Sequence, residues 1–307
     1  MKILVTGASG FLGKFLVKKL SEENEVVTIN SKICDLTREN SLDRFNYIKF
    51  DMIYHLAAWT QAGNFCLYHP AEQWIVNQKI NTNVLSWWQQ RQSRAKFIAM
   101  GTSCSYDPDL PHTEENYLKG LPTESLFTYA MTKRMLLAGL KALNKQFSLE
   151  YLYLIPSTLY GKGYHLDGRQ MHFIFDLIQK IMLGKFYNKK VELWGNGDQI
   201  RELVYVEDFV DIMTKLSLSE KNTLINIGAG KGHSIKEFAK MICEKLSYDE
   251  KDIFYDRTKY VGAEKKVLIV EKMKRILPDY EGVSLKEGLG HTIDWFLENK
   301  SLIFQNT

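Results

Sequence analysis

Cysteine is scarce in this chain, and its spacing forms no recognisable pattern. Cys34, Cys66, Cys104 and Cys243 are the only four in 307 residues, with no CxxC step and no metal-ligand spacing among them. That excludes a zinc ribbon or a disulfide scaffold, and no metal is expected. It fits a reducing cytoplasm, where most thiols serve as small buried hydrophobes. No apolar run is long enough to cross a bilayer. No signal peptide precedes the first strand, which starts at residue 2, so a cytoplasmic protein is expected. A surplus of one charge is missing too. The 40 basic residues face 36 acidic ones, a net +4 scattered along the chain. So small an excess does not point to nucleic acid, and no membrane partner is expected. Internal repeats, low-complexity tracts and flexible linkers are absent.

What is present is an ordinary globular composition, 45% hydrophobic and 25% charged, in a chain long enough for a large α/β core. Its organising stretch is the first one, Ile3-Leu4-Val5-Thr6-Gly7-Ala8-Ser9-Gly10-Phe11-Leu12-Gly13. Ile3 to Val5 reads as a buried strand, and Leu16, Val17 and Leu20 mark the helix that follows. Gly7 suits a tight turn, Gly10 a close backbone approach to a pyrophosphate, and Gly13 close packing of the helix. The helix N-terminus offers free N–H groups and a partial positive charge to phosphates. Strand, glycine loop and helix together indicate a dinucleotide site.

A second strand, Glu25 to Ile29, ends at Asn30-Ser31-Lys32. A carboxylate here would bond the ribose hydroxyls and repel a 2′-phosphate. None is present, and Asn30 suits a bare ribose while Lys32 suits a phosphorylated one, so NAD and NADP both stay open. Asp35-Leu36 is placed to meet the adenine edge, with Asp35 alternatively capping a helix near Ser41 to Phe45. The strand from Met52 runs into His55-Leu56-Ala57-Ala58, whose small residues let a loop lie flat against a cofactor; His55 reads as structural. A helix over Glu72 to Gln92 carries Trp74, Trp87 and Trp88, a stripe suited to a core or a subunit interface. Lys96 to Met100 leads to the hydroxyl-rich Gly101-Thr102-Ser103-Cys104-Ser105-Tyr106, at the strand end where parallel sheets bind ligands. In the next helix Tyr129 and Lys133, four apart, share one face. An ammonium beside a phenol, with an oxidised nicotinamide, brings that phenol toward working range as a base. Tyr151 to Ile155 forms a further strand. Helix is then expected over Met171 to Leu183, strands over Val191 to Trp194, Val204 to Val206 and Leu224 to Ile227, and closing helices over Ser234 to Leu246 and Leu285 to Asn299.

TGASGFLG, HLAA, GTSCSY, YAMTK, STLYG, Trp194-Gly195-Asn196-Gly197 and Arg201 to Asp208 together resemble the extended short-chain dehydrogenase/reductases, specifically the nucleotide-sugar epimerase/dehydratase branch. The likeness spans nearly the whole chain and is nearest the GDP-fucose synthase subfamily and the GDP-heptose 4-dehydrogenases of bacterial capsule pathways. It implies a Rossmann-type doubly wound parallel sheet over 1–160, with roughly 201–227, and a smaller, mixed substrate lobe from 161–200 and 228–307. It implies Thr102, Tyr129 and Lys133 as the catalytic triad, Lys133 also holding the nicotinamide ribose. Gly7, Ser9, Gly10, Phe11, Leu12, Gly13, Asn30, Ser31, Lys32, Asp35, Leu36, Leu56, Ala57 and Ala58 are the implied cofactor residues. Thr158, Trp194 and Arg201 are the implied substrate residues, Arg201 forking onto a sugar-nucleotide diphosphate. Dehydratases carry a carboxylate in the hydroxyl segment; Ser103 and Cys104 stand here instead, so dehydration is not expected. Cys104 and His172 match the subfamily's epimerisation pair, whereas Gln170-Met171 and Thr158 depart from its usual run. The reading that follows is NAD-dependent oxidation at carbon 4 of a GDP-linked hexose or heptose, feeding surface-polysaccharide synthesis. The alternatives are a GDP-4-keto-sugar 3,5-epimerase/4-reductase and, from another class, a cofactor-binding sensor that has lost catalysis. Relatives dimerise through the helices holding Trp87 and Tyr129, so a homodimer is expected.

Overall fold

Runs of apolar residues broken by glycine loops and amphipathic helices give the chain its alternating elements. In the computed structural model, residues 1–62, 65–259 and 261–304 are described, with the Phe304 side chain left aside. The first half runs β1 (Lys2–Thr6), α1 (Phe11–Leu20), β2 (Glu25–Ile29), β3 (Met52–His55), α2 (Phe65–Tyr68), α3 (Pro70–Arg91), β4 (Lys96–Met100), α4 (Phe127–Phe147), β5 (Tyr151–Pro156) and β6 (Thr158–Tyr160). The second carries α5 (Phe173–Tyr187), β7 (Val191–Trp194), β8 (Ile200–Arg201), β9 (Leu203–Tyr205), α6 (Val206–Ser219), β10 (Thr223–Ile227), β11 (His233–Ser234) and α7 (Ile235–Leu246). β12 (Ile253–Asp256), β13 (Lys265–Lys266), α8 (Glu271–Ile276), α9 (Leu285–Glu298) and α10 (Lys300–Phe304) complete it.

Six strands make one parallel sheet in the order β10-β5-β4-β3-β1-β2. Ile3, Leu4, Ile53, Phe97, Ile98, Leu152 and Leu154 have no exposed surface. Side chains on both faces of these strands are therefore covered, which is why they read as unbroken apolar runs. Right-handed crossovers on either side of the reversal between β1 and β3 send helices to opposite faces. Accordingly α3 packs on α4, and α1 on α6. The crevice at that reversal lies at the carboxyl ends of the strands, where such sheets bind ligands.

A second apolar core forms where α5, α7 and α9 pack together, around Ile174, Phe175, Ile178, Phe238, Ile242 and Phe296. Ser234 starts α7 with a full capping box, its hydroxyl accepting from the Glu237 N–H and the Glu237 carboxylate from the Ser234 N–H. Three small sheets, β6–β9, β7–β12 and β11-β8-β13, stand apart from the main sheet.

Three local expectations are corrected. The helix near Ser41 to Phe45 is one 3₁₀ turn, Asp43–Phe45, and Asp35 does not cap it, because its carboxylate is occupied by Thr37 and Arg38. The strand expected through Val206 stops at Tyr205, since the acidic first turn Glu207-Asp208 already favours a helix start. The helix expected from Met171 begins at Phe173, after His172 in extended backbone. The tryptophan stripe divides: Trp87 and Trp88 are buried, their indoles donating to Asn46 Oδ1 and the Ala95 carbonyl, while Trp74 stays exposed.

Candidate active site

The glycine loop is shaped by two close approaches. Gly7 leaves β1 at φ +66, and a Cβ there would lie 2.8 Å from the Ala57 nitrogen. So the Leu56-Ala57 segment after β3 sits directly against the loop. Thr6 fixes that contact, its hydroxyl accepting the N–H groups of Leu56 and Ala57 at 3.1 Å each. His55 backs Thr6, with Nδ1 3.0 Å from its hydroxyl and Nε2 3.1 Å from Asn81 Oδ1. Burial, and then the Lys133 charge, push this imidazole down to about 4 against the opposing pull of Asn81, so it is a neutral, satisfied structural histidine. At Gly13 a Cβ would fall 2.3 Å from the Gly7 carbonyl oxygen, so α1 packs on the loop itself. α1 has no side-chain N-cap and no acid in its first turn, which leaves its N–H groups open to an anion. Phe11 turns away, edge-on to Phe15, Tyr164 and Phe175, and Leu12 packs on the main core. These residues fit a dinucleotide pyrophosphate.

After β2 the Asn30 carboxamide is committed to its own turn, its oxygen accepting the N–H groups of Lys32 and Ile33 at 3.0 and 3.2 Å. Ser31 and Lys32 are exposed, and no carboxylate among the described residues pairs with Lys32. Leu36 is buried in the main core.

Tyr129 and Lys133 project from the first turns of α4 beside the Thr102 end of β4. The Thr102 hydroxyl touches both the Tyr129 phenol and Cys104. It also accepts the Cys104 N–H at 3.2 Å, which winds Ser103–Ser105 into a 3₁₀ turn. Burial raises the Tyr129 phenol well above its ordinary value, with Cys104 adding to that and Thr102 opposing. Burial also lowers Lys133 to about 8, and no carboxylate among the described residues pairs with it. A buried ammonium with no carboxylate partner among the described residues has donors to offer a ribose.

Beside this triad lies a cationic cleft. Arg201 donates to the Ile200 and Val261 carbonyls at 2.9 and 3.2 Å and pairs with no carboxylate among the described residues. With Trp194, Phe173, Lys180 and Gln199 it lines a cavity of about 470 Å³. Lys180 there is paired to Asp176 at 3.0 Å. Lys266, from β13, places its Nζ 3.2 Å from the Cys104 sulfur. His172, in front of α5, is open to solvent but crowded enough that desolvation is the first influence on its ring. The charges of Lys266 and His165 follow, and all three hold it below the usual histidine range. The structure thus gathers Thr102, Cys104, Tyr129 and Arg201 around one region that His172 shares through Lys266. Thr158 opens β6, paired with β9 at Leu203. A larger cleft of about 820 Å³, near Met241, Lys245, Lys286 and Leu289, holds none of the expected site residues.

Two contributors went unread in the sequence. Arg134, one turn beyond Tyr129, buries its guanidinium and donates to the Ser105 carbonyl at 2.9 and 2.6 Å and to those of Lys119 and Gly120. It thereby clamps the Cys104 turn to α4. Lys266 was indistinguishable from other lysines, because only the pairing of β13 with β8 brings it to the site. An arginine one residue beyond Lys133 in the same helix was, in principle, legible; Lys266 was not.

A parallel doubly wound sheet, a glycine loop at its reversal and a Thr-Tyr-Lys set define a short-chain dehydrogenase/reductase type of NAD(P)-dependent enzyme. The model of the NAD dependent epimerase/dehydratase family matches residues 3–228, and the chain belongs to that family. It is 30% identical to the GDP-L-colitose synthase of Yersinia pseudotuberculosis, over 98% of this chain and 99% of that one. It is likewise 30% identical to the GDP-L-fucose synthase of Dictyostelium discoideum, over 97% and 95%. Among solved structures, a GDP-L-fucose synthetase from Naegleria fowleri superposes with TM-score 0.86 at 24% identity, covering 98% of this chain and 94% of that one. A GDP-6-OMe-4-keto-L-xylo-heptose reductase from C. jejuni gives TM-score 0.86 at 19% identity, covering 97% and 98%, which shows the shared fold. Among the described residues no helix is long and apolar enough to cross a membrane, and no cluster of ligating side chains could hold a metal ion.

Proposed function

We propose that the protein is a GDP-4-keto-sugar 3,5-epimerase/4-reductase using NADP(H). The observation that carries this is the gathering of Cys104, Lys266 and Arg201 against the Thr102–Tyr129 pair, with His172 within the influence of the same lysine. A plain 4-dehydrogenase needs the triad and has no use for a cysteine held beside a lysine ammonium. The names of the 30% identical relatives, synthases of GDP-linked 6-deoxy sugars, favour the same reading over 4-oxidation.

In this reading Arg201 clamps the diphosphate, and the sugar lies over Thr102. Cys104, as thiolate, takes the proton from a carbon beside the 4-ketone. The electron pair moves onto the carbonyl oxygen, where Thr102 and Tyr129 donate hydrogen bonds to the enolate. His172, as imidazolium, returns a proton to the other face. The diphosphate's negative charge, opposing the Lys266 ammonium, favours that protonated ring. A bound reduced nicotinamide supplies the hydride for carbon 4. Tyr129 then gives the oxygen its proton, and burial keeps the phenol in the protonated form this direction requires. Exposed Lys32, with no acid at the end of β2, suits a 2′-phosphate. The large apolar side chains left open on α3 and α4 (Trp74, Ile75 and Met135) suit a homodimer.

The test is incubation with NADPH and a GDP-4-keto-6-deoxyhexose in D₂O. Falling absorbance at 340 nm and deuterium at carbons 3 and 5 of the product are expected, with Cys104→Ala and His172→Ala losing the deuterium. No hydride transfer to the keto sugar, together with NAD⁺ reduction by a GDP-hexose, would return the site to 4-oxidation.

A further inference from the structure

Lys266 lies outside every motif of the chain, yet its ammonium sits 3.2 Å from the Cys104 sulfur, across 162 residues of sequence. β13 is two residues long and pairs with β8, in a register that sets Lys266 opposite Arg201. That short ladder delivers two cations to one thiol. The groups acting on the sulfur come from several elements: Lys266 from β13, Arg201 from β8, Thr102 from the end of β4, Tyr129 from α4 and Cys66 from α2. His172, before α5, feels the same lysine. Tyr129 and Cys66 are both held in their neutral forms by burial. Among the described residues, no carboxylate is among the main groups acting on the thiol.

We propose that Lys266 is a positioning residue that keeps Cys104 ionised at neutral pH, so that the sulfur enters each turnover as a base. Burial alone would favour the neutral thiol. The lysine charge and contact, together with the Thr102 hydroxyl and Arg201, outweigh burial and bring the thiol below its ordinary value. The inference rests on the epimerase reading for its role in turnover, whereas the ion pair itself needs no sugar. During proton abstraction the carbon–hydrogen bond breaks, a sulfur–hydrogen bond forms, and the electron pair moves to the ketone oxygen. Lys266 keeps its protons throughout.

The experiment uses the full chain without any nucleotide sugar. Limiting iodoacetamide is applied from pH 5.5 to 10, and alkylation of the Cys104 peptide is followed by mass spectrometry in wild type, Lys266→Met, Lys266→Gln and Lys266→Arg. The wild-type rate should reach its plateau at least one pH unit earlier than in Lys266→Met, leaving the variant about tenfold slower at pH 7. Lys266→Arg should keep the early plateau. If Lys266→Met fails to fold, as judged by circular dichroism, the Lys266→Gln curve decides. Coincident midpoints in wild type and the neutral variants overturn the proposal, even if the enzyme exchanges solvent deuterium into its substrate. An early wild-type plateau without deuterium exchange upholds the ion pair and sinks the epimerase reading instead.

Discussion

At the scale of single residues, the site works by what neighbours do to a few titratable groups. Burial without a carboxylate partner leaves Lys133 near 8 and Tyr129 protonated, while two cations act on Cys104. Thr102, Tyr129, Lys133 and Cys104 stand out as candidates because their segments are motifs, whereas His172 stands out only through the family resemblance. Their environments were not legible, since each depends on chain far away in sequence. Lys32 gives a residue-scale prediction. Exposed and free of any carboxylate partner among the described residues, it can offer a 2′-phosphate a charge-assisted contact of about 1.5–3 kcal/mol. Lys32→Glu should therefore weaken NADPH binding about tenfold or more while sparing NADH, read by fluorescence titration of each. Equal losses for both cofactors would remove Lys32 from 2′-phosphate recognition.

At the scale of elements, the long strands and helices followed from apolar period and glycine punctuation. β2 was bounded correctly as Glu25–Ile29, and α3 and α9 within two residues at each end. The short pieces were hidden. β8, β11 and β13 have two residues each, too few for any periodicity, and exist only because they pair. Yet these pieces carry Arg201 and Lys266 to the site. α3 and α4 give the element-scale prediction. Trp74 and Ile75 on α3 and Met135 on α4 are 46–50% exposed, large apolar side chains of the kind that mark an interface. A carboxylate placed there would be buried unpaired on dimerisation. Met135→Glu should convert a dimer to a monomer in light scattering with the fold intact; an unchanged mass would place any interface elsewhere.

At the scale of the whole molecule, two buried titratable groups pull stability in opposite directions with pH. His55, 2% exposed, is pushed down to about 4 in the fold from an ordinary value of 6.5. As pH falls through that window the unfolded chain takes up a proton the folded one refuses, so stability drops, by on the order of 3 kcal/mol. Glu202, also 2% exposed, is pushed up to about 7 by burial, against the Leu268, Gly230 and Ala229 N–H groups it accepts. Its contribution is present below 4.5 and is lost as pH rises to 7, the opposite slope. The two oppose each other between 4.5 and 6.5. Urea midpoints of Glu202→Gln should therefore fall more steeply than those of wild type as pH drops from 6.5 to 4.5. A flat Glu202→Gln profile would mean that His55 is not a buried neutral base.

The sequence by itself determined the nucleotide half of this protein. A buried strand, three glycines and a helix are local in the chain, and so are the hydroxyl turn and the Tyr129–Lys133 face, because spacing along one helix or loop sets their geometry. The tertiary structure alone decided the surroundings of Cys104 and His55. Whether Cys104 lies buried as an inert thiol or beside an ammonium depends on the β13–β8 pairing. Whether His55 is a base or a strut depends on Thr6 and Asn81 reaching it from other elements. Electrostatic environment is a sum over neighbours in space, and only the folded chain brings those neighbours together.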